Sequence, residues 1–368
     1  MMLFYFSIIP VLIVTLRWFS WIHLKSASAP RKEQAQRLCV LVVARNEEER
    51  LPRLLECIQT EIALINQIII ADDSSEDRTP DIAEAFRVQN PGKVTVIQYR
   101  AREGQSPKKT GIEKAIENCD CDWIWMIDAD TEIIKGGLAS RREFLMSSEM
   151  DVVAGSVIEK PKSGTIWSYI SAIEQSMMNT LSKGSIASRR GMLCSGANLA
   201  FRREWFIRKA PFKDNMQIFS GDDLSILESA GSKVGFDSNP QSAVFTDSVT
   251  DARSFYAQRI RRAGKLRFTG KSETKIFGIL SLLAGIISLT VLPGRMIFGK
   301  LHEQVTALVV LVAYLKVMFD ASMAGNPFPE FRTSTLRTLI TGYLYPIFVL
   351  FIPLLIFTVK PNWKGRRV

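Results

Sequence analysis

Apolar and polar positions divide the chain into three kinds of stretch. Residues 3–16 carry no charge, and beyond Arg17 the apolar character continues through Trp18, Phe19, Trp21 and Ile22. Residues 276–294 and 338–359 are also uncharged, each roughly long enough to cross ~30 Å of hydrocarbon. Between them, residues 305–319 are apolar but short, with Lys316 inside and Asp320 just beyond. The stretch from about 30 to 270 has the mixed composition of a soluble domain. The pattern therefore predicts a transmembrane anchor over 1–24, a soluble domain over 36–250 and a basic amphipathic segment over 251–275. A membrane block over 276–359 and a basic tail over 360–368 complete it.

Within the soluble stretch the periodicity changes repeatedly. Leu38-Cys39-Val40-Leu41-Val42-Val43-Ala44 is apolar without a break, as befits a strand covered on both faces of a parallel sheet. Residues 47–60 show helical spacing at Leu51, Leu54, Leu55 and Ile58. Ile68-Ile69-Ile70-Ala71 predicts a second buried strand. A helix starts near Thr79-Pro80, with Pro in its first turn and Ile82, Ala83 and Phe86 facing inward. Val94-Thr95-Val96-Ile97, Trp123-Ile124-Trp125-Met126-Ile127 and Val152-Val153-Ala154-Gly155 predict three more strands, with a helix over 111–116. Strands alternating with helices make an α/β domain with a mostly parallel sheet. Ligands of such sheets bind beyond the carboxyl ends of the strands. Arg45-Asn46-Glu47, Asp72-Asp73 and Asp128-Ala129-Asp130 all stand at such ends.

Charge changes the picture by fixing a topology. Lys plus Arg number 47 against 37 for Asp plus Glu, a formal net charge of +10 over 368 residues. Lys25, Arg31 and Lys32 follow the first apolar run. Arg259, Arg261, Arg262, Lys265, Arg267, Lys271 and Lys275 precede the second. Positive charge at both borders predicts a cytoplasmic central domain on a multi-pass protein of the inner membrane. The excess reads as attraction to an anionic lipid surface, not to nucleic acid, because no aromatic-interleaved basic motif occurs. Ala27-Ser28-Ala29 offers a signal-peptidase-like site, but the start lacks positive charge. Lys360, Lys364, Arg366 and Arg367 should also lie inside, which three C-terminal crossings would forbid. Either residues 305–319 do not span, or the tail lies in an interface.

Two absences narrow the chemistry. Cys39, Cys57, Cys119, Cys121 and Cys194 form no spaced metal pattern and read as reduced thiols. The only histidines, His23 and His302, border apolar segments, so a general base in the central domain would be a carboxylate.

Asp128 and Asp130, one residue apart after a buried strand, can share a divalent ion with a diphosphate, Mn²⁺ or Mg²⁺ being suited to such oxygens. Asp72-Asp73-Ser74-Ser75 can accept hydrogen bonds from a base, while Asp77 or Thr79 caps the following helix. Gly221-Asp222-Asp223 reads either as a helix N-terminus or as a pair holding a general base.

Taken in order, these motifs resemble those of family 2 glycosyltransferases of the GT-A fold. The resemblance runs through Val42-Val43-Ala44-Arg45-Asn46-Glu47-Glu48, Asp72-Asp73-Ser74-Ser75 and Asp128-Ala129-Asp130. It continues with Ser195-Gly196-Ala197-Asn198-Leu199-Ala200-Phe201-Arg202-Arg203, Gly221-Asp222-Asp223 and Gln258-Arg259-Ile260-Arg261-Arg262, covering about residues 38–265. It implies that Ala44, Arg45, Glu47, Asp72 and Asp73 hold the nucleoside of a UDP- or GDP-sugar, and that Asp128 and Asp130 serve the diphosphate and its metal. Lys108 or Lys109 falls where the family places a donor-contacting basic loop, although Glu113 stands where asparagine is usual. Ser195, Gly196, Ala197 and Asn198 would lie under the acceptor, or else form an ordinary buried strand ahead of a helix. Asp223 would be the catalytic base, with Asp222 supporting it.

Gln258 and Arg261 fit the Q-x-x-R-W element that closes over the diphosphate in membrane polysaccharide synthases, but Arg262 replaces its tryptophan. The expectation is an inverting, metal-dependent transfer to a lipid-linked or glycan acceptor at the membrane. A processive polysaccharide synthase and an inactive, nucleotide-binding membrane scaffold are the alternatives.

Overall fold

The computed structural model describes residues 2–24, 36–162, 165–264, 270–349, 352, 362–363 and 366–367. Ala27-Ser28-Ala29 and the basic residues Lys25, Arg31, Lys32, Lys265, Arg267, Lys360 and Lys364, used above for topology, lie outside the described residues.

Helices α1 (Met2–Ser7) and α2 (Ile9–His23) open the chain. There follow β1 (Leu38–Ala44), α3 (Leu51–Thr60), β2 (Gln67–Asp73), α4 (Thr79–Gln89), β3 (Val94–Tyr99) and α5 (Pro107–Glu117). Next come β4 (Trp123–Asp128), β5 (Thr131–Ile133), α6 (Gly137–Ser147), β6 (Val152–Gly155), β7 (Val157–Lys160) and α7 (Ile166–Ala187). Then β8 (Asn198–Arg202), α8 (Arg203–Lys209), α9 (Asp222–Ala230), β9 (Val234–Asp237), β10 (Val244–Asp247) and α10 (Ala252–Gly264) complete the middle of the chain. Helices α11 (Ser272–Leu289), α12 (Val291–Phe298), α13 (Leu301–Gly325) and α14 (Thr335–Val349) and the short pair β11 (Asn362–Trp363) and β12 (Arg366–Arg367) end it. Two compact units result. One comprises Ser26–Ile158, Arg189–Asp247 and Asn362–Val368, the other Met1–Lys25, Glu159–Ser188 and Ser248–Pro361.

The first unit is built on a seven-stranded sheet of order β3-β2-β1-β4-β8-β6-β9. β3, β2, β1 and β4 run parallel, β8 is antiparallel to both β4 and β6, and β9 is parallel to β6. The uninterrupted apolar runs become central strands because helices cover both faces, and Leu38, Val40, Leu41 and Val42 are fully buried. Two helix starts differ from the spacing. α3 begins at Leu51 because Asn46 adopts a left-handed φ of 51° and Glu48–Arg50 form a turn. α5 begins earlier than expected, at Pro107, because the Ser106 side chain accepts from the Lys109 N–H and proline suits the first turn.

The second unit is helical. Leu3–His23, Ser272–Phe298 and Leu301–Gly325 are each long and apolar enough to cross a membrane. Residues 305–319 thus belong to a 25-residue helix of about 37 Å. Its two charges answer one another, Lys316 Nζ lying 2.6 Å from Asp320 Oδ2 one turn on. α7 also belongs to this unit although it is half polar in sequence. Its small and polar side chains admit close neighbours: Asn179 Nδ2 donates to the Gly325 carbonyl at 2.9 Å and Thr180 Oγ1 to that of Ala321 at 2.7 Å.

Candidate active site

Parallel register brings the strand-end residues together. Ala44 pairs with Asp72, Val43 with Asp128, and Asp73 with Tyr99, so the carboxyl ends of β1, β2, β3 and β4 form one edge. The loops leaving β1 and β2 are stitched to each other there. Arg45, only 6% exposed, donates through Nη1 to the carbonyls of Asp73 (2.6 Å) and Ser74 (2.9 Å), and through Nη2 to Glu76 (3.2 Å). The Asn46 N–H donates to Ser75 Oγ and its Oδ1 accepts from the Glu76 N–H. The Glu47 N–H donates to Thr79 Oγ1 at 2.7 Å. Asp72 closes its own turn, accepting from the Ser75 N–H and hydroxyl. Asn46 and Ser74 both carry positive φ, 51° and 47°, a conformation unusual outside glycine that this mesh of bonds maintains.

Asp77 ties both loops to α4, accepting from the Thr79 N–H at 2.9 Å and the Glu48 N–H at 3.1 Å. Partial burial works against its charge, but the hydrogen bonds from Thr79 and Glu48 prevail and hold its carboxyl below the ordinary 3.8.

Asp128 ends β4, and Asp130 lies half-buried in the turn to β5. Lys108, in the first turn of α5, faces Asp128. Its Nζ donates to Asp128 Oδ1 at 2.7 Å and lies 3.3 Å from Asp222 Oδ2. Burial alone would lower its pKa, yet Asp128, Asp222 and Asp223 together raise it above the ordinary lysine value. Lys109 turns away, its Nζ bonded to the carbonyl and Oδ1 of Asn215 at 2.8 Å. Of the two lysines, Lys108 is the one that meets the strand-end carboxylates.

Asp222 and Asp223 open α9 behind Gly221, whose φ of 82° only glycine adopts at little cost. Both are 6% exposed, and Asp223 Oδ1 accepts from the Leu224 N–H at 2.8 Å. Gly196 packs against the same group. A Cβ there would stand 3.1 Å from Asp222 Oδ2 and 3.4 Å from Lys108 Nζ. Ser195 and the buried Ala197 flank it. Asn198 begins β8 fully buried, its amide bonded to the Trp125 indole and to the carbonyls of Ser156 and Ser242.

Residues 39–208 match the family model described as Glycosyl transferase family 2. This stretch is a family 2 glycosyltransferase domain. Among solved structures, mannosyltransferase PcManGT from Pyrobaculum calidifontis, in complex with GDP-Man and Mn²⁺, has a TM-score of 0.56 at 18% identity, covering 95% of this chain and 95% of that one. GalNAc-T7 with UDP, GalNAc and Mn²⁺ has a TM-score of 0.44 at 18% identity, covering 59% of this chain and 44% of that one. S. aureus TarS has 0.41 at 15%, covering 83% and 54%. No curated protein matches the sequence. The first of these likenesses, one of fold, covers nearly the whole chain.

The glycosyltransferase domain as matched contains Ala44, Arg45, Glu47, Asp72, Asp73, Lys108, Lys109, Asp128, Asp130 and Ser195 to Asn198, while Asp222 and Asp223 follow it. Beside Asp72 opens a cleft of about 360 Å³ lined by Ser74, Ser75, Pro80, Gln98, Tyr99 and Arg100. Gln98, Tyr99 and Arg100 were not singled out from sequence, because nothing local marks the end of β3 as a ligand edge. The position of β3 beside β2 is what brings them there.

Gln258 and Arg261 lie on α10, in the helical unit. Gln258 Oε1 accepts from Arg259 Nη1 at 2.6 Å. Arg259 is buried over the Phe255 ring and pairs with Glu174 at 2.6 Å. Arg262, where the polysaccharide-synthase element has tryptophan, donates to Gln175 at 3.0 Å and pairs with Glu159 at 3.5 Å. Burial pushes the Glu159 carboxyl up, against the pull of Arg262, Ser171 and Arg259.

Proposed function

We propose that this glycosyltransferase transfers one sugar, with inversion, from a UDP- or GDP-sugar to a lipid-linked or glycan acceptor at the cytoplasmic face of an inner membrane. The observation that carries the reading is a single ammonium, Lys108, shared by the last residue of β4 and the first of α9. It brings Asp222 to Asp128, which supports reading the Asp222–Asp223 pair as the place of the base. Asp223 takes the proton of the acceptor hydroxyl as that oxygen bonds to C1. The bond from C1 to the diphosphate breaks on the opposite face, and the nucleoside diphosphate leaves. Ala44, Arg45, Glu47, Asp72 and Asp73 would hold the nucleoside, Ser195, Gly196, Ala197 and Asn198 would underlie the acceptor, and Gln258 and Arg261 would serve the donor.

The donor set fits a divalent cation. Asp128 and Asp130 offer hard carboxylate oxygens, and Mg²⁺- or Mn²⁺-type sites commonly combine one or two carboxylates with substrate phosphates. Among the described residues no three acidic, cysteine or histidine side chains gather into a cation site, so these two aspartates and the diphosphate would hold the ion jointly. Bound there, the ion would supply positive charge against the departing diphosphate. Mn²⁺ accompanies GDP-Man in the PcManGT structure, which supports this reading.

Membrane placement rests on the three apolar helices and on Arg259, Arg261, Arg262, Lys271 and Lys275 at the start of the C-terminal ones. With Arg262 engaged by Glu159 and Gln175, a single addition is favoured over processive synthesis.

The test combines a donor panel with one substitution. The full-length protein in lipid, offered UDP- and GDP-sugars, should hydrolyse or transfer one class. Asp223→Asn should lower turnover by about 10²–10⁴-fold while nucleoside diphosphate binding is retained. Turnover equal to wild type would remove Asp223 as the base.

A further inference from the structure

Lys108 is more deeply committed than a phosphate-contacting lysine needs to be. Its side chain is 20% exposed, Asp128 is 38% exposed and Asp222 only 9%. The ammonium bonds Asp128, the first carboxylate of the D-x-D sequence, directly and lies within ion-pair distance of Asp222. Like charges brought together, one of them buried, need a cation nearby, and here the chain supplies its own.

That arrangement conflicts with a dication on the same Asp128 oxygen, because an ammonium and a divalent ion sharing one carboxylate repel strongly at such separations. Gly196 leaves room beside the pair, since a Cβ there would stand 3.4 Å from Lys108 Nζ and 3.1 Å from Asp222 Oδ2. Lys108 can release Asp128 only if another anion takes up its charge, and the donor's diphosphate is the anion that arrives at this edge.

We propose that Lys108 is the resident counter-ion of the free donor site. It occupies Asp128 until a nucleoside diphosphate sugar enters, so that the divalent ion binds together with the donor and not ahead of it. This rests on the donor-site reading given above. The ammonium then turns from Asp128 to the diphosphate while keeping Asp222. The exchange is one of ion pairs: no covalent bond forms or breaks.

The experiment measures Mn²⁺ binding to the full chain in lipid nanodiscs, by loss of the free-ion electron paramagnetic resonance signal, without and with UDP or GDP. Wild type should bind Mn²⁺ at least about tenfold more tightly with the nucleotide present than without it. Lys108→Met, which removes the charge but keeps the stem, should bind Mn²⁺ alone about tenfold more tightly than wild type, and Lys108→Arg should stay near wild type. Equal Mn²⁺ affinity of the wild type with and without nucleotide overturns the proposal even if Lys108→Met does not fold. So does a folded Lys108→Met with no gain for Mn²⁺ alone. Failure of both UDP and GDP to bind any form in Mn²⁺ is a different result: it removes the donor-site reading itself, and this proposal with it.

Discussion

At the scale of single residues, the donor edge depends as much on turn-forming side chains as on the groups that would touch a ligand. Asp77, in the β2–α4 loop, receives N–H groups from both the β1–α3 loop and the first residue of α4. Hydrogen bonds to a charged acceptor contribute about 2 kcal/mol. Asp77→Ala should therefore lower the unfolding free energy by about that amount at neutral pH, measured by denaturant titration. The sign of its pH dependence follows from the depressed carboxyl. The stabilisation is fully present above the ordinary 3.8 and is lost as pH falls through the lower folded-state value. The variant should accordingly lose less stability than wild type below pH 3.8, and parallel acid curves would show that Asp77 does not link the loops. Lys108 and Lys109 make a related point about legibility. Adjacent helical residues point about 100° apart, so only one can face the strand ends. Sequence offered no basis for choosing between them, whereas Asn215 and Asp128 separate the pair in space.

At the scale of elements, α7 is the helix whose setting its composition least discloses. Ser168, Ser171, Glu174, Gln175, Ser176, Asn179, Thr180, Ser182 and Ser185 are all buried. The serines and threonine let backbones approach, and Asn179 and Thr180 bond across to α13, as between packed membrane helices. A Cβ on Gly325 would overlap the Ser176 carbonyl. Gly325→Ala should thus destabilise the helical unit by about 1–3 kcal/mol in lipid. Gly294→Ala in α12, with open space around it, is the control and should leave stability unchanged or slightly raised. Equal unfolding midpoints for the two variants would refute the close α7–α13 packing. The same contrast explains what could be read from sequence. β1, β2 and β4 announce themselves because burial on both faces demands unbroken apolar runs. α7 does not, because its partners satisfy polar groups that a hydropathy pattern counts as exposed. The antiparallel insertion of β8 between β4 and β6 was equally hidden, since strand order is a tertiary property. Residues 305–319 looked too short because Lys316 and Asp320 interrupt them, and their i,i+4 pairing restores the length.

At the scale of the whole molecule, the basic tail posed a problem of parity: three C-terminal crossings would leave it outside. Two helices, Ser272–Phe298 and Leu301–Gly325, are long and apolar enough to cross, and a pair of crossings would return the chain to the side from which it entered. With those two crossings, the tail's positive charge is expected on the inner side only if α14 does not cross as well. α14 suits this. It carries Pro346 within its helix, and that proline packs against Gly285 of α11, where any Cβ would collide with it. A proline removes one helical hydrogen bond, and such interruptions are tolerated at membrane depth where neighbouring helices compensate. The expected arrangement is an external N-terminus, an internal sheet domain, an external α12–α13 turn around Arg295, Lys300 and His302, and an internal tail. Single cysteines placed by His302→Cys and Arg366→Cys distinguish the alternatives in intact cells with a membrane-impermeant maleimide. Cys39, Cys119, Cys121 and Cys194 are buried and add little background, and the half-buried Cys57 is replaced by serine in both variants. The first variant should label without permeabilisation and the second only after it. Labelling of Arg366→Cys in sealed cells would mean that α14 crosses, and the tail's positive charge would then no longer report the domain's side.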